Sequence, residues 1–239
     1  MKSFVFISIV LISGCLAGLI HGGLNLVIVE PYLDQAIAIE NQNLFLTGEE
    51  EDTKQFWVEY YDYRIWQKSG QIIAGMILGT SFGALFGIVY ALSRNSLLNR
   101  GHVENSLILA GIMWFTLFVI PFLKYPANPP TVGDADTVVM RGVLYILFIT
   151  ISGLGAFGFY KLFKKLKNQK RVIAFIGYII FISSAFLIMP ENPDKITAPI
   201  ELVNQFRISA FISASVFWFS LALILGIFWE KTKPEIHTN

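Results

Sequence analysis

The sequence predicts an all-α, polytopic integral membrane protein with six transmembrane helices. Three observations carry that expectation. Of 239 residues, 54% are hydrophobic and only 15% are charged, where a soluble domain carries about 25% charged residues. The mean hydropathy of +0.59 reflects the whole chain rather than a single anchor. Six apolar runs, at residues 4–29, 72–92, 107–123, 142–163, 172–189 and 208–229, approach or exceed the ~20 residues that cross a bilayer.

Taken in order, each run is bounded by charge or proline. The first follows Lys2 and ends at Glu30-Pro31. Ile12-Ser13-Gly14-Cys15 has the look of a lipoprotein signal, but apolar sequence continues from Leu16 to Val29 where a polar tether would be needed, so an uncleaved span is expected. Residues 30–69, the largest hydrophilic piece, read as an extracytoplasmic loop of one membrane domain. The second run carries Gly75, Gly79, Gly83 and Gly87, and the first carries Gly14, Gly18 and Gly22. Spacing of four puts each set on one helix face and lets backbones approach. This predicts either contact between the first two spans or a homo-oligomer built through the same faces. Gly153-Leu154-Gly155-Ala156-Phe157-Gly158 matches a dinucleotide fingerprint in letters only, since it lies within an apolar span with no strand before it.

Charge sorts the loops. With six spans, one side holds 11 basic residues against three acids, including the run Lys161, Lys164, Lys165, Lys167, Lys170 and Arg171; the other holds seven against 14. The basic side, with both termini, is expected in the cytoplasm at the plasma membrane. The apolar runs make the lipid bilayer a partner, and a net charge of +1 argues against nucleic acid. The single cysteine, Cys15, excludes an internal disulfide. No Walker loop, His-Glu-x-x-His or Gly-x-Ser-x-Gly element is present, so no enzyme is expected.

Three spans emerge on the acidic side and end in proline and acid: Glu30-Pro31 with Asp34, Pro126-Ala127-Asn128-Pro129 with Asp134 and Asp136, and Pro190-Glu191-Asn192-Pro193-Asp194. The returning spans follow Lys68, Arg141 and Arg207, which predicts three similar helical hairpins. Pro121, Pro126, Pro129 and Pro130 stiffen the central loop. Its carboxylates Asp134 and Asp136 and the amide of Asn128 suit a divalent cation, as do Glu30 and Asp34, spaced four apart. His21 lies inside the first span, and an ionisable residue there is a functional candidate. The candidate metal-handling residues are therefore Asp134, Asp136, Asn128, Glu30, Asp34 and His21.

The segments AGLIHGGLNLVIVEPYLDQAIAIE, EYYDYRIWQKSG, PFLKYPANPPTVGDADTVVMRGVLY and MPENPDKITAPIELVNQFRISAFISASVFW resemble the CbtA family of predicted cobalt transporter subunits. That resemblance implies a cobalamin-related cobalt uptake component, with Co2+ as substrate and no permanently bound cofactor. It also implies a small, single-span, histidine-rich partner protein. Descriptions of the family count five spans where this sequence reads six. The rival expectation is a non-transporting structural or assembly component of a larger membrane complex.

Overall fold

The computed structural model describes residues 3–96, 101–129, 132, 133, 135–193 and 196–235. Among them there is no strand, and six helices are long and apolar enough to cross a membrane. They fall into two compact units, Met1–Gly111 with Ala198–Asn239, and Ile112–Thr197.

In the first unit, α1 (Ser3–Leu24) continues through a π-helical turn (Asn25–Val29) into α2 (Glu30–Thr47). The result is one continuous helix of 45 residues. At 1.5 Å per residue it is about 67 Å long, over twice the ~30 Å hydrocarbon thickness. The partner helix α3 (Lys54–Ser93) has 40 residues. Residues 30–69 are therefore helical except for a short turn, where a loop was expected. The reason is local: Asp34 to Leu46 contains no proline or glycine. The reversal is set by Gly48, whose φ of 73° closes α2, and by Thr53, whose hydroxyl caps α3 by accepting from Phe56 N–H.

The two helices pack antiparallel in one register from end to end. Gly14 lies against Gly79 and Gly83, Gly18 against Gly75, and Gly22 against Ile72. A Cβ on Gly75 would stand 2.7 Å from the Gly18 carbonyl oxygen, and one on Gly83 2.7 Å from the Gly14 Cα. Further along, Glu30 meets Arg64, Asp34 meets Lys68, and Phe45 stacks edge-on to Phe56 and Trp57. The glycine faces are thus consumed within the chain. A homo-oligomer through them, one of the two expectations, would require these helices to separate first.

Helix α8 (Ile200–Thr232) lays its buried face, including Phe206, Ser213, Leu221, Leu225 and Trp229, into the same unit. The N-terminal part of α4 (His102–Trp114) joins it, where Ser106 Oγ donates to the Ala222 carbonyl at 2.8 Å and Gly226 lets the backbones close.

The second unit takes up the remainder of the third span. There α4 passes through a second π-helical turn (Phe115–Val119) into α5 (Ile120–Lys124). It is completed by α6 (Val138–Lys165) and α7 (Arg171–Ile188). Ile120, Tyr125, Leu144, Phe148 and Met189 form its core, and the Tyr125 hydroxyl donates to the Pro190 carbonyl at 2.6 Å. That bond ties together the two Pro-x-Asn-Pro segments. The expected likeness of three hairpins does not extend to their ends: the first connection is helical, whereas the described residues of the proline-rich second and third, between α5 and α6 and between α7 and α8, form no α-helix.

Candidate functional site

The first π-turn leads into a proline. Pro31 has no N–H to give and its ring crowds the carbonyl four residues back, so the preceding turn widens. Glu30 N–H accordingly donates to the Asn25 carbonyl, five residues back. At the start of this widened turn, His21 and Asn25 lie one α-turn apart on the same face, and α8 brings Ser213 to them.

The three side chains close a ring of hydrogen bonds. Ser213 Oγ donates to Asn25 Oδ1 at 2.7 Å and lies 2.9 Å from His21 Nδ1. The Asn25 amide Nδ2 faces His21 Nε2 at 3.4 Å. Ser213 is fully buried, and the Phe217 ring lies against the imidazole with centroids 5.5 Å apart. His21 sits about 13 Å and Asn25 about 7 Å along the helix from Glu30, counting 1.5 Å per residue, and so within the apolar stretch.

Glu30 and Asp34 stand beyond it, at the edge of the expected span. The Arg64 guanidinium donates to Glu30 Oε1 and to Asp34 Oδ1, the latter at 2.6 Å, while Lys68 Nζ reaches Asp34 Oδ2 at 2.7 Å. Arg64 also holds Gln67 Oε1 at 2.7 Å. Glu30 and Arg64 are only 4% and 5% exposed, so neither charge is solvated and each requires the other. Partial burial opposes ionisation of Asp34, but the hydrogen bonds and charges of Lys68 and Arg64 outweigh it and hold the carboxyl below its ordinary value. Two carboxylates and two cations compensate one another here. A divalent ion reaching Glu30 or Asp34 has to displace Arg64.

The other described candidates belong to the second unit. Asn128 is half-buried in the irregular segment after α5, and Asp136 is exposed in a short 3-10 turn (Ala135–Thr137) before α6. Asp134 lies outside the described residues. Gly133 precedes it with φ of 110°, a conformation that favours glycine. Among the described residues, no three His, Cys, Asp or Glu side chains come close enough to hold a metal ion.

Sequence reasoning missed Asn25, Ser213 and Arg64. Asn25 was findable, because it follows His21 by four residues inside an apolar run and precedes a proline. Arg64 was findable once 30–69 was read as a helical hairpin, since the register from the glycine faces carries it opposite Glu30. Ser213 is one of several serines on α8, and no local signal marks it.

The model of the CbtA family, described as a probable cobalt transporter subunit, matches residues 4–230. No curated protein and no solved structure matches the chain. Six membrane-length helices with the signature of that family along nearly all of their length lead to one assignment: the chain belongs to the CbtA family of probable cobalt transporter subunits.

Proposed function

We propose that this chain is the multi-pass membrane component of a divalent-metal uptake system, with cobalt its first substrate. The observation that carries the reading is the imidazole of His21, placed inside an apolar span and held by an amide and a buried hydroxyl beside a widened helical turn. A nitrogen donor at that depth has no use in lipid packing, and ionisable groups within spans mark ion paths. The cation is captured at the acidic face by Asp134 and Asp136, helped by Asn128. It then passes inward toward His21. Glu30 and Asp34 line the way only if Arg64 yields; otherwise they brace the first hairpin. The basic side faces the cytoplasm, and a small histidine-rich partner protein supplies further imidazoles.

The test is radioactive cobalt accumulation in cells stripped of their own cobalt uptake, expressing the chain with and without a candidate small partner. Accumulation above the empty vector, abolished by replacing Asp134 and Asp136 together with Asn, supports the reading. Accumulation unchanged by that double replacement removes these carboxylates from it.

One observation favours a second reading, a non-transporting assembly component: the described residues hold no cluster of three metal-ligating side chains. Under that reading the chain copurifies in a stable larger complex and gives no cobalt accumulation while present in the membrane.

A further inference from the structure

The hydrogen bonds around His21 fix more than its position. A serine hydroxyl has one proton. Ser213 Oγ spends it on Asn25 Oδ1 at 2.7 Å, an acceptor with no proton to offer in return. Toward His21 Nδ1, 2.9 Å away, the same oxygen can then only accept, and this orientation of the Asn25 amide assigns the imidazole proton to Nδ1. Nε2 is left with its lone pair, facing the Asn25 amide at 3.4 Å. The amide N–H that closes the ring onto this lone pair does so at more than the ~2.7–3.2 Å of an ordinary hydrogen bond, so it holds the site weakly. Phe217 lies against the ring and restrains it from turning over.

We infer that Ser213 is a positioning residue that commits His21 Nε2 to a divalent first-row metal ion in transit, with the Asn25 amide as the placeholder the ion displaces. This deepens the uptake reading above and rests on it for the word transit. The arrangement is the one a metal-bound imidazole requires: one ring nitrogen donates its proton to a fixed oxygen, and the other keeps its lone pair. Imidazole suits first-row ions, and a single protein nitrogen with water as the remaining ligands lets the ion leave again. Loss of such a hydrogen-bond partner typically costs about 10- to 100-fold in metal affinity.

The experiment uses the full chain, purified in lipid nanodiscs and labelled with 15N-histidine, with His21→Gln to assign the signals. In the metal-free protein, His21 is expected to show a protonated Nδ1 and an unprotonated Nε2. Cobalt chloride should broaden the His21 signals away, and zinc chloride should shift Nε2 alone. Ser213→Ala should mix the two tautomers and weaken Co2+ binding about 10- to 100-fold. Ser213→Thr, which keeps the hydroxyl, should restore both, and it keeps the test valid if the alanine variant does not fold. A proton found on Nε2 in the native protein overturns the inference, as does a Ser213→Ala protein with unaltered tautomer and Co2+ affinity. Cobalt accumulation in cells separates the two claims: binding at His21 without accumulation sinks the transport reading and leaves the ligand, whereas accumulation without binding at His21 does the reverse.

Discussion

Val29-Glu30-Pro31 and Val119-Ile120-Pro121 each close a π-helical turn, yet the first gathers a histidine, an amide and a charged pair where the second gathers only hydroxyls among apolar side chains. In both, the residue before the proline donates its N–H five residues back, Glu30 to Asn25 and Ile120 to Phe115. In both, the cause is a proline that can neither donate nor tolerate the carbonyl four residues earlier. At the second turn, the slipped hydrogen bond frees the Thr116 carbonyl, and Ser152 Oγ caps it at 2.6 Å. Leu117, Ile120, Tyr125 and Phe148 surround that turn. At the first turn stand His21, Asn25 and Ser213, with Glu30 paired to Arg64 at its far end. The same backbone device sits among hydroxyls and apolar groups in one span and beside an imidazole in the other. A widened turn therefore carries no functional argument by itself; the role proposed for the first rests on the imidazole gathered at it.

The sharpest way to break this contrast is to remove the charge that the first turn depends on. Arg64→Met leaves Glu30 buried without its cation, and taking one partner from a buried pair costs about 3–5 kcal/mol. The second turn ends on Ile120 and has no such dependence. Thermal unfolding in detergent should show a large loss for Arg64→Met, most of it restored by the double replacement Arg64→Met with Glu30→Gln. An Arg64→Met protein as stable as the native one would mean that Glu30 reaches water.

Next comes helix packing. Gly18→Val drives carbon into the Gly75 and Met76 backbone, which cannot rotate away. Overpacking of this kind costs about 1–3 kcal/mol, and the high end is expected here. Gly153→Ala in the second unit meets only the Leu117 side chain, which can turn aside. The expected result is a clear fall in unfolding temperature for the first and little change for the second. Equal losses would show that both contacts are equally rigid.

The serines give a smaller but more telling pair. Ser152→Ala leaves the Thr116 carbonyl uncapped, at about 1–3 kcal/mol. Ser213→Ala breaks the His21 ring at a similar structural cost. If the two turns differ in function, only Ser213→Ala lowers cobalt accumulation per folded molecule. Equal accumulation would make the first turn as structural as the second.

How far the sequence revealed this contrast can be read from particular residues. The six helices were legible because apolar length is a property of single segments, and each run falls within an observed helix, the fifth but for Met189. The glycine contact was legible for a similar reason, since a repeat of four makes a face whatever it packs against. Neither π-turn was read, although Val-x-Pro marks both, because a proline inside an apolar run predicts only that a helix is disturbed. His21 was found as an ionisable residue out of place. Its partner Ser213 is 192 residues away, and nothing in the local sequence joins them. Glu30 and Asp34 were read as free ligands because Arg64 belonged to a segment taken for a loop.

The smallest expected effect lies at the solvent end of the first hairpin. Asp34 is 41% exposed at its side chain, so its bridges to Arg64 and Lys68 are worth at most about 1 kcal/mol after screening by water. The sign follows from the depressed carboxyl. In the unfolded chain Asp34 takes up its proton at the ordinary aspartate value, and in the folded chain only at a lower pH. The bridges therefore contribute fully above the ordinary value. Their contribution fades as pH falls from there through the folded value, and it is gone below both. Asp34→Asn removes this dependence at one site. The difference in unfolding temperature between native and Asp34→Asn proteins should be small near neutral pH, shrink on acidification, and narrow also with added salt. Because Glu30 is buried and Asp34 is not, raised salt should leave the Arg64→Met defect nearly intact while erasing the Asp34→Asn defect. A salt response of the same size in both would place Glu30 in water, and the first turn would lose its distinction from the second at that end.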